Sequence, residues 1–213
     1  MSRLSVALVW ALLLAVGLTG CSRDLYTFRD VPKELPPGVA NLLVDSSFES
    51  STLKICGAAV NCPLGWSTEH TTEDPLVYSQ TPTGAVTGSF ALSLVYNGHA
   101  SDDGVHKFIE LYQGAVGPTA TGGHELTFTL WVSGTCENCA PFIGIEAFDK
   151  RGSYLGESDQ YFNVPATPRP VQVSYVLPAG TVAVAAYIQV PEIYSISIVN
   201  LYVDNASLAA MDG

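Results

Sequence analysis

The sequence is short of positive charge, with 9 Lys and Arg against 20 Asp and Glu and a net charge of −11 over 213 residues. A surface of that sign repels phosphate backbones and anionic headgroups, which excludes nucleic acid as a partner and leaves no basic patch to seat on a membrane. No window of helical length carries a 3.6-residue apolar period, which excludes a helical domain. There is no G-x-S-x-G turn, phosphate-binding loop or dinucleotide fingerprint, so the chemistries those motifs support are absent. His70, His99, His106 and His124 lie near loops or strand starts without metal-ligand spacing, and read as solvated side chains. No internal repeat or low-complexity tract occurs. The unbroken apolar run, residues 6–18, is thirteen residues long and too short to span a bilayer comfortably.

That run follows Arg3 and ends in Leu18-Thr19-Gly20-Cys21, the pattern of a secretory signal. The tetrapeptide looks like a bacterial lipobox, which implies cleavage after Gly20 and lipidation of Cys21, with several acyl chains giving a stable anchor. Arg3 is the only charge in the first twenty residues, so removing them leaves 8 basic and 20 acidic residues, a net charge of −12. Residues 21–40 contain Pro32, Pro36 and Pro37 among charges and read as a lipidated cysteine followed by a flexible tether. Ser22 after the cysteine resembles the outer-membrane sorting pattern of Gram-negative lipoproteins. Residues 41–213 are long enough for one domain with a sizeable core.

Four further cysteines fall in two close pairs, Cys56 with Cys62 and Cys136 with Cys139. In an exported chain two local disulfides are the natural reading, each adding roughly 2 kcal/mol by loop entropy. Two alternatives are weaker. A C-x-x-C redox motif sits at a helix N-terminus, whereas strands flank Cys136-Glu137-Asn138-Cys139; a four-cysteine zinc site would have unequal spacings.

From Asn41 onward, short apolar or alternating runs are separated by Gly, Pro, Asn and Asp clusters. Strands are expected over 41–45, 63–69, 75–80, 89–96, 105–113, 124–133, 141–149, 153–163, 170–177, 181–190 and 196–208, which suits two packed sheets. Alternation assigns faces. Leu126, Phe128, Leu130 and Val132 share a core face, opposite Thr127, Thr129 and Trp131. Ile109 and Leu111 look inward, with Phe108, Glu110 and Tyr112 outward. Val182, Val184, Ala186, Ile188 and Val190 oppose Ala183, Ala185, Tyr187 and Gln189, and Ile143, Ile145 and Ala147 oppose Glu146 and Phe148. The non-core faces therefore interleave aromatics with carboxamides and carboxylates. The opening stretch, NLLVDSSFES, places Phe48 and Glu49 at a strand end, and the last strand, LYVDNASL, carries Asp204. If the termini lie side by side, Glu49 and Asp204 could share one cation.

NLLVDSSFES, Gly65-Trp66, TGSFALSLVYNG, IELYQGAV, ELTFTLWVSG and LYVDNASL occur in the order seen in carbohydrate-binding modules of the family 4, 9 and 22 type. The resemblance covers residues 41–210 and implies an all-β, two-sheet antiparallel jelly-roll sandwich of the galactose-binding-like class. It further implies a structural calcium ion at Glu49 and Asp204, completed by other oxygens. Asp45-Ser46-Ser47 stands where the family has Asn-Gly, and Asp204-Asn205 where it has paired acids. Sugar stacking is implied for Trp131, Tyr112 and Tyr187, with Glu110 and Gln189 as polar partners; Trp66 is expected in the core. The resulting expectation is a lipid-anchored, non-catalytic cell-envelope protein that recognises a polysaccharide or glycan. A structural or assembly lipoprotein binding other envelope proteins is the second reading. A glycan hydrolase or lyase using an acid pair such as Glu110 and Glu146 is the third.

Overall fold

Residues 35–44, 46–49, 56–57, 66–70, 77–98, 108–191 and 197–210 are described in a computed structural model of the chain. The expected signal, Cys21, most of the tether, Cys62, His99 and His106 lie outside the described residues, so the expected division at residues 20 and 40 and the Cys56–Cys62 bridge do too.

The described residues form two packed sheets with no helix. One sheet has six strands in the order β1 (Cys56–Gly57), β2 (Ser67–His70), β5 (Phe108–Ala115), β10 (Ala183–Pro191), β7 (Phe142–Phe148) and β8 (Tyr154–Tyr161). The other has five: β3 (Val77–Thr81), β4 (Ala91–Gly98), β11 (Ser197–Ala210), β6 (Glu125–Glu137) and β9 (Arg169–Val176). Pairing is antiparallel throughout except for the two-residue parallel contact of β1 with β2. The fold is thus the two-sheet antiparallel sandwich expected from alternation. Cys136 and Cys139 are bridged at the β6–β7 turn, their Cα atoms 5.7 Å apart.

Inward residues make the core. Leu126, Phe128, Leu130 and Val132 of β6 are fully buried, as are Ile143, Ile145 and Ala147 of β7. Burying a side chain of this size stabilises the fold by roughly 1.5–3 kcal/mol. Trp66 and Phe48 are both fully buried, with ring centroids 5.2 Å apart, so Trp66 is a core residue as expected. Val182 corrects the face assignment: it precedes β10 and is 42% exposed.

The expected strand 41–45 is also corrected. Residues 41–44 are irregular, because side chains take the place of a neighbouring strand. Asn41 Oδ1 accepts from Leu43 N (3.1 Å) and Leu208 N (2.9 Å), while its Nδ2 donates to Ala206 O (3.0 Å). Leu42 N donates to Leu208 O at 2.8 Å. On the other side the buried Gln113 carboxamide accepts from Val44 N (2.6 Å) and donates to Val44 O (3.0 Å). Gln113 belongs to the six-stranded sheet and Leu208 to the five-stranded one, so the opening segment ties both sheets together. It meets β11 where the register shifts between Asp204 and Ser207, at Asn205 with φ 46°.

Candidate functional site

The pleat and the register decide which outward residues meet. Across β5, β10, β7 and β8 one row reads Glu110, Gln189, Phe142, Tyr161. The next reads Tyr112, Tyr187, Gly144, Asp159, and the third Gly114, Ala185, Glu146, Glu157. Directly opposed residues share a face, so Glu110, Tyr112, Tyr187 and Gln189, four of the five expected ligand residues, lie together on the outer face of the six-stranded sheet. Tyr161, Glu157 and Asp159 join them from β8 and were not singled out by sequence. That strand, YLGESDQY, has few apolar residues on either side, so alternation cannot orient it.

Trp131 does not belong to this group. It lies on the outer side of the five-stranded sheet, opposite Asp204 and Pro170, and is half-buried. The chain between β3 and β4 passes over that side. A Cβ on Gly84 would fall 2.5 Å from Tyr202 Cβ and 3.2 Å from Ser133 Oγ, so only glycine permits this approach. Ser93, Thr129 and Ser133 are buried despite pointing away from the core. The ring expected to lead ligand binding is therefore separated from the others by the whole sandwich.

Exposure on the six-stranded face is graded. Glu157 and Asp159 are exposed, and Tyr112, Glu110, Gln189, Glu146 and Tyr161 are half-buried. Tyr187 is only 3% exposed, so it offers little ring face for stacking. Its ring meets Phe142 edge-on (centroids 5.9 Å, 87°), and Phe142 packs on Tyr161 at 4.6 Å. The Tyr187 hydroxyl donates to Glu157 Oε2 at 3.3 Å. Burial first, then the carboxylates of Glu157, Glu146 and Asp159, holds this phenol well above its ordinary value, so it remains a donor.

Glu49 and Asp204 are brought together, as the opening and closing strands suggested. Phe48 adopts φ 55°, a left-handed conformation that turns its ring into the core and leaves the Glu49 carboxylate for the β3–β4 loop. Glu49 Oε1 accepts from Ser89 N (2.8 Å) and Phe90 N (2.7 Å). Asp204, fully buried, accepts from Val86 N (2.6 Å) and Thr87 N (3.0 Å) through Oδ2, and from Asn205 N (2.7 Å) through Oδ1. Burial raises the Asp204 pKa against the lowering effect of these hydrogen bonds, and the nearby Glu49 carboxylate raises it further. Thr87 Oγ1 is buried without a hydrogen-bond partner. Two adjacent carboxylates and an orphaned hydroxyl are hard oxygen donors of the kind calcium takes. Among the described residues no group of three or more His, Cys, Asp or Glu converges, so the remaining oxygens would have to be neutral.

No family model matches the chain, and no curated protein matches it. Solved structures do. The enzymatically active domain of a bacteriophage CBA120 tailspike superposes with a TM-score of 0.58 at 14% identity, covering 80% of this chain and 21% of that one. This chain thus spans about a fifth of the tailspike domain's length. A family 61 carbohydrate-binding module, solved with β-1,4-galactotriose, gives 0.47 at 13% identity, covering 80% and 99%. The CBM22-1 xylan-binding domain of Paenibacillus barcinonensis Xyn10C gives 0.46 at 13% identity, covering 82% and 97%. The likeness is one of fold: a jelly-roll β-sandwich.

The Tyr187 phenol makes stability depend on alkaline pH. The unfolded chain releases this proton near the ordinary value of 10.0 and the folded chain keeps it. Stability is therefore undiminished below pH 10 and falls as pH rises past it. In Tyr187→Phe, urea unfolding is expected to show about 1 kcal/mol less stability at pH 7, from the lost hydrogen bond, and a shallower decline between pH 10 and 11. A decline as steep as the parent's would contradict the burial of this phenol.

Proposed function

We propose that this chain is a glycan-binding domain that uses the outer face of the six-stranded sheet. One observation carries the reading: the register sets Tyr112 beside Tyr187 and Glu110 beside Gln189 on a single face, with Tyr161 two strands further on. Half-buried rings next to carboxylate and carboxamide groups provide an apolar surface for pyranose C–H faces and acceptors and donors for hydroxyls. The stacking work falls to Tyr112 and Tyr161, because Tyr187 is buried.

The reading is non-catalytic. Glu110 and Glu146 lie two strand spacings apart and four residues out of register. At about 4.8 Å per strand and about 3.4 Å per residue their Cα atoms are about 16 Å apart. Glycosidase carboxyl groups stand about 5–9.5 Å apart across the scissile bond. Glu49 and Asp204, with Thr87 Oγ1, would hold a calcium ion whose charge offsets the repulsion between the two carboxylates and fixes the β3–β4 loop. Cys21 would carry the lipid that anchors the domain at the cell envelope, at the outer membrane in a Gram-negative source.

Three measurements test these assignments. In affinity electrophoresis against soluble polysaccharides, Tyr112→Ala is expected to weaken retention about tenfold, the scale of one stacking contact with its polar neighbours, while Trp131→Ala leaves it unchanged. Loss of retention in the Trp131 variant alone would move the site to the other sheet. Saturating calcium is expected to raise the melting temperature by about 5 °C, as binding at about 100 times Kd would, and to have no effect on Asp204→Ala. An equal rise in that variant would refute the site. Detergent phase partitioning should carry the mature protein into the detergent phase and leave Cys21→Ser in the aqueous phase. Aqueous partitioning of both would refute the anchor.

A further inference from the structure

Tyr187 was expected to be a platform, but its surroundings describe a strut. The ring crosses from β10 over β7 at Gly144, where a Cβ would fall 2.3 Å from both the ring carbon Cζ and the hydroxyl oxygen. No residue but glycine leaves that slot open. Phe142 holds the ring edge-on, and the hydroxyl ends on Glu157 of β8. Tyr154, 54% exposed, hydrogen-bonds the same carboxylate through its own phenol. Glu157 is thus an exposed acid held by two phenols.

What the strut positions is an unfavourable arrangement. Glu146 stands directly opposite Glu157 in the β7–β8 register, and Asp159 follows two residues along on the same face. Like charges in directly opposed positions destabilise a sheet. The strands β5, β10, β7 and β8 contain Glu110, Glu146, Glu157 and Asp159 and no Lys or Arg to offset them. The two glutamates are side by side on one sheet face, which suits a single incoming group and does not place them on two sides of a bond to be cleaved.

Resting on the glycan-binding reading above, we infer that Glu146 and Glu157 form a subsite for an amine on the glycan, with Tyr187 as the residue that positions Glu157. A protonated amine offers three donors, matching two carboxylates, and is attracted by the ring of the exposed Tyr154. Charge-assisted hydrogen bonds of this kind favour an amino sugar over its N-acetylated counterpart, whereas a uronate adds a further negative charge to the face and is rejected.

The test is calorimetric titration of the full chain, in detergent, with three hexasaccharides at low salt: chitosan hexamer, its fully N-acetylated counterpart and hexagalacturonate. The expected result is about tenfold tighter binding of chitosan hexamer than of the N-acetylated hexamer, a preference that shrinks with added salt, and no binding of hexagalacturonate. Glu157→Gln and Glu146→Gln should each bring the first two affinities within about twofold of each other. Tyr187→Phe, which keeps the ring and loses the hydroxyl, should narrow the same ratio, a readout that a purely structural role would not move. Equal affinities in the parent, measurable binding of hexagalacturonate, or a preference retained in Glu157→Gln would overturn the amine subsite while leaving glycan binding in place. Binding of none of the three would remove the glycan reading and the subsite with it.

Discussion

Everything on the outer face depends on what the inner face buries. Along β10, Val184, Ala186, Ile188 and Val190 are at most 4% exposed, and Leu126, Phe128, Leu130 and Val132 of β6 are fully buried. At roughly 1.5–3 kcal/mol for each large side chain, these rows outweigh any preference of the residues between them. A slip of one residue in β10 would carry Tyr187 and Gln189 into the core and expose Ile188, so the register is strongly specified. The same register sets Tyr187 beside Tyr112, Gly144 beneath the Tyr187 ring, and Glu146 opposite Glu157. The site is a by-product of core packing in its placement, and of the outward side chains in its chemistry.

A second constraint joins the two ends of the domain. β11 is the middle strand of its sheet, so the last strand in the chain must be held on both flanks. Where its register shifts at Asp204 to Ser207, side chains stand in for strand partners: Asn41 serves the Ala206 carbonyl and the Leu208 amide, and Asp204 accepts from three backbone amides. Glu49 does the same for Ser89 and Phe90. Two carboxylates thus organise the β3–β4 loop, which in turn covers Ser133 and Tyr202 on the five-stranded side. That cover separates the two outer faces in character, one overlaid by its own loop and the other carrying exposed acids and half-buried rings.

Strand positions were largely legible, because alternation survives wherever one face is buried. The strand expected over 124–133 is β6, extended to Glu137, where the Cys136–Cys139 bridge closes the turn. Residues 41–44 were misread as a strand. Their apolar run is real, but the bonding partners are side chains 69 and 165 residues away, which no local pattern reveals. Sheet order was not legible either. Trp131 and Tyr112 look equivalent as outward aromatics, and only the pairing of β6 with β11 and β9, and of β5 with β10, assigns them to opposite sides. Glu157 escaped notice because the edge strand β8 carries polar residues on both sides. The burial of Tyr187 depends on Gly144, whose role appears only once the two strands are adjacent.

The central claim is that recognition belongs to the outer face of the six-stranded sheet. The most direct measurement is amide chemical-shift mapping of the isotope-labelled protein during titration with soluble β-1,4-linked hexasaccharides, one neutral and one amine-bearing. The account predicts that shifts concentrate in β5, β10, β7 and β8, with Tyr112 and Tyr161 moving for both ligands and Glu146 and Glu157 moving more for the amine-bearing one. Shifts centred on Trp131 and the strands around it, or none anywhere, would contradict it.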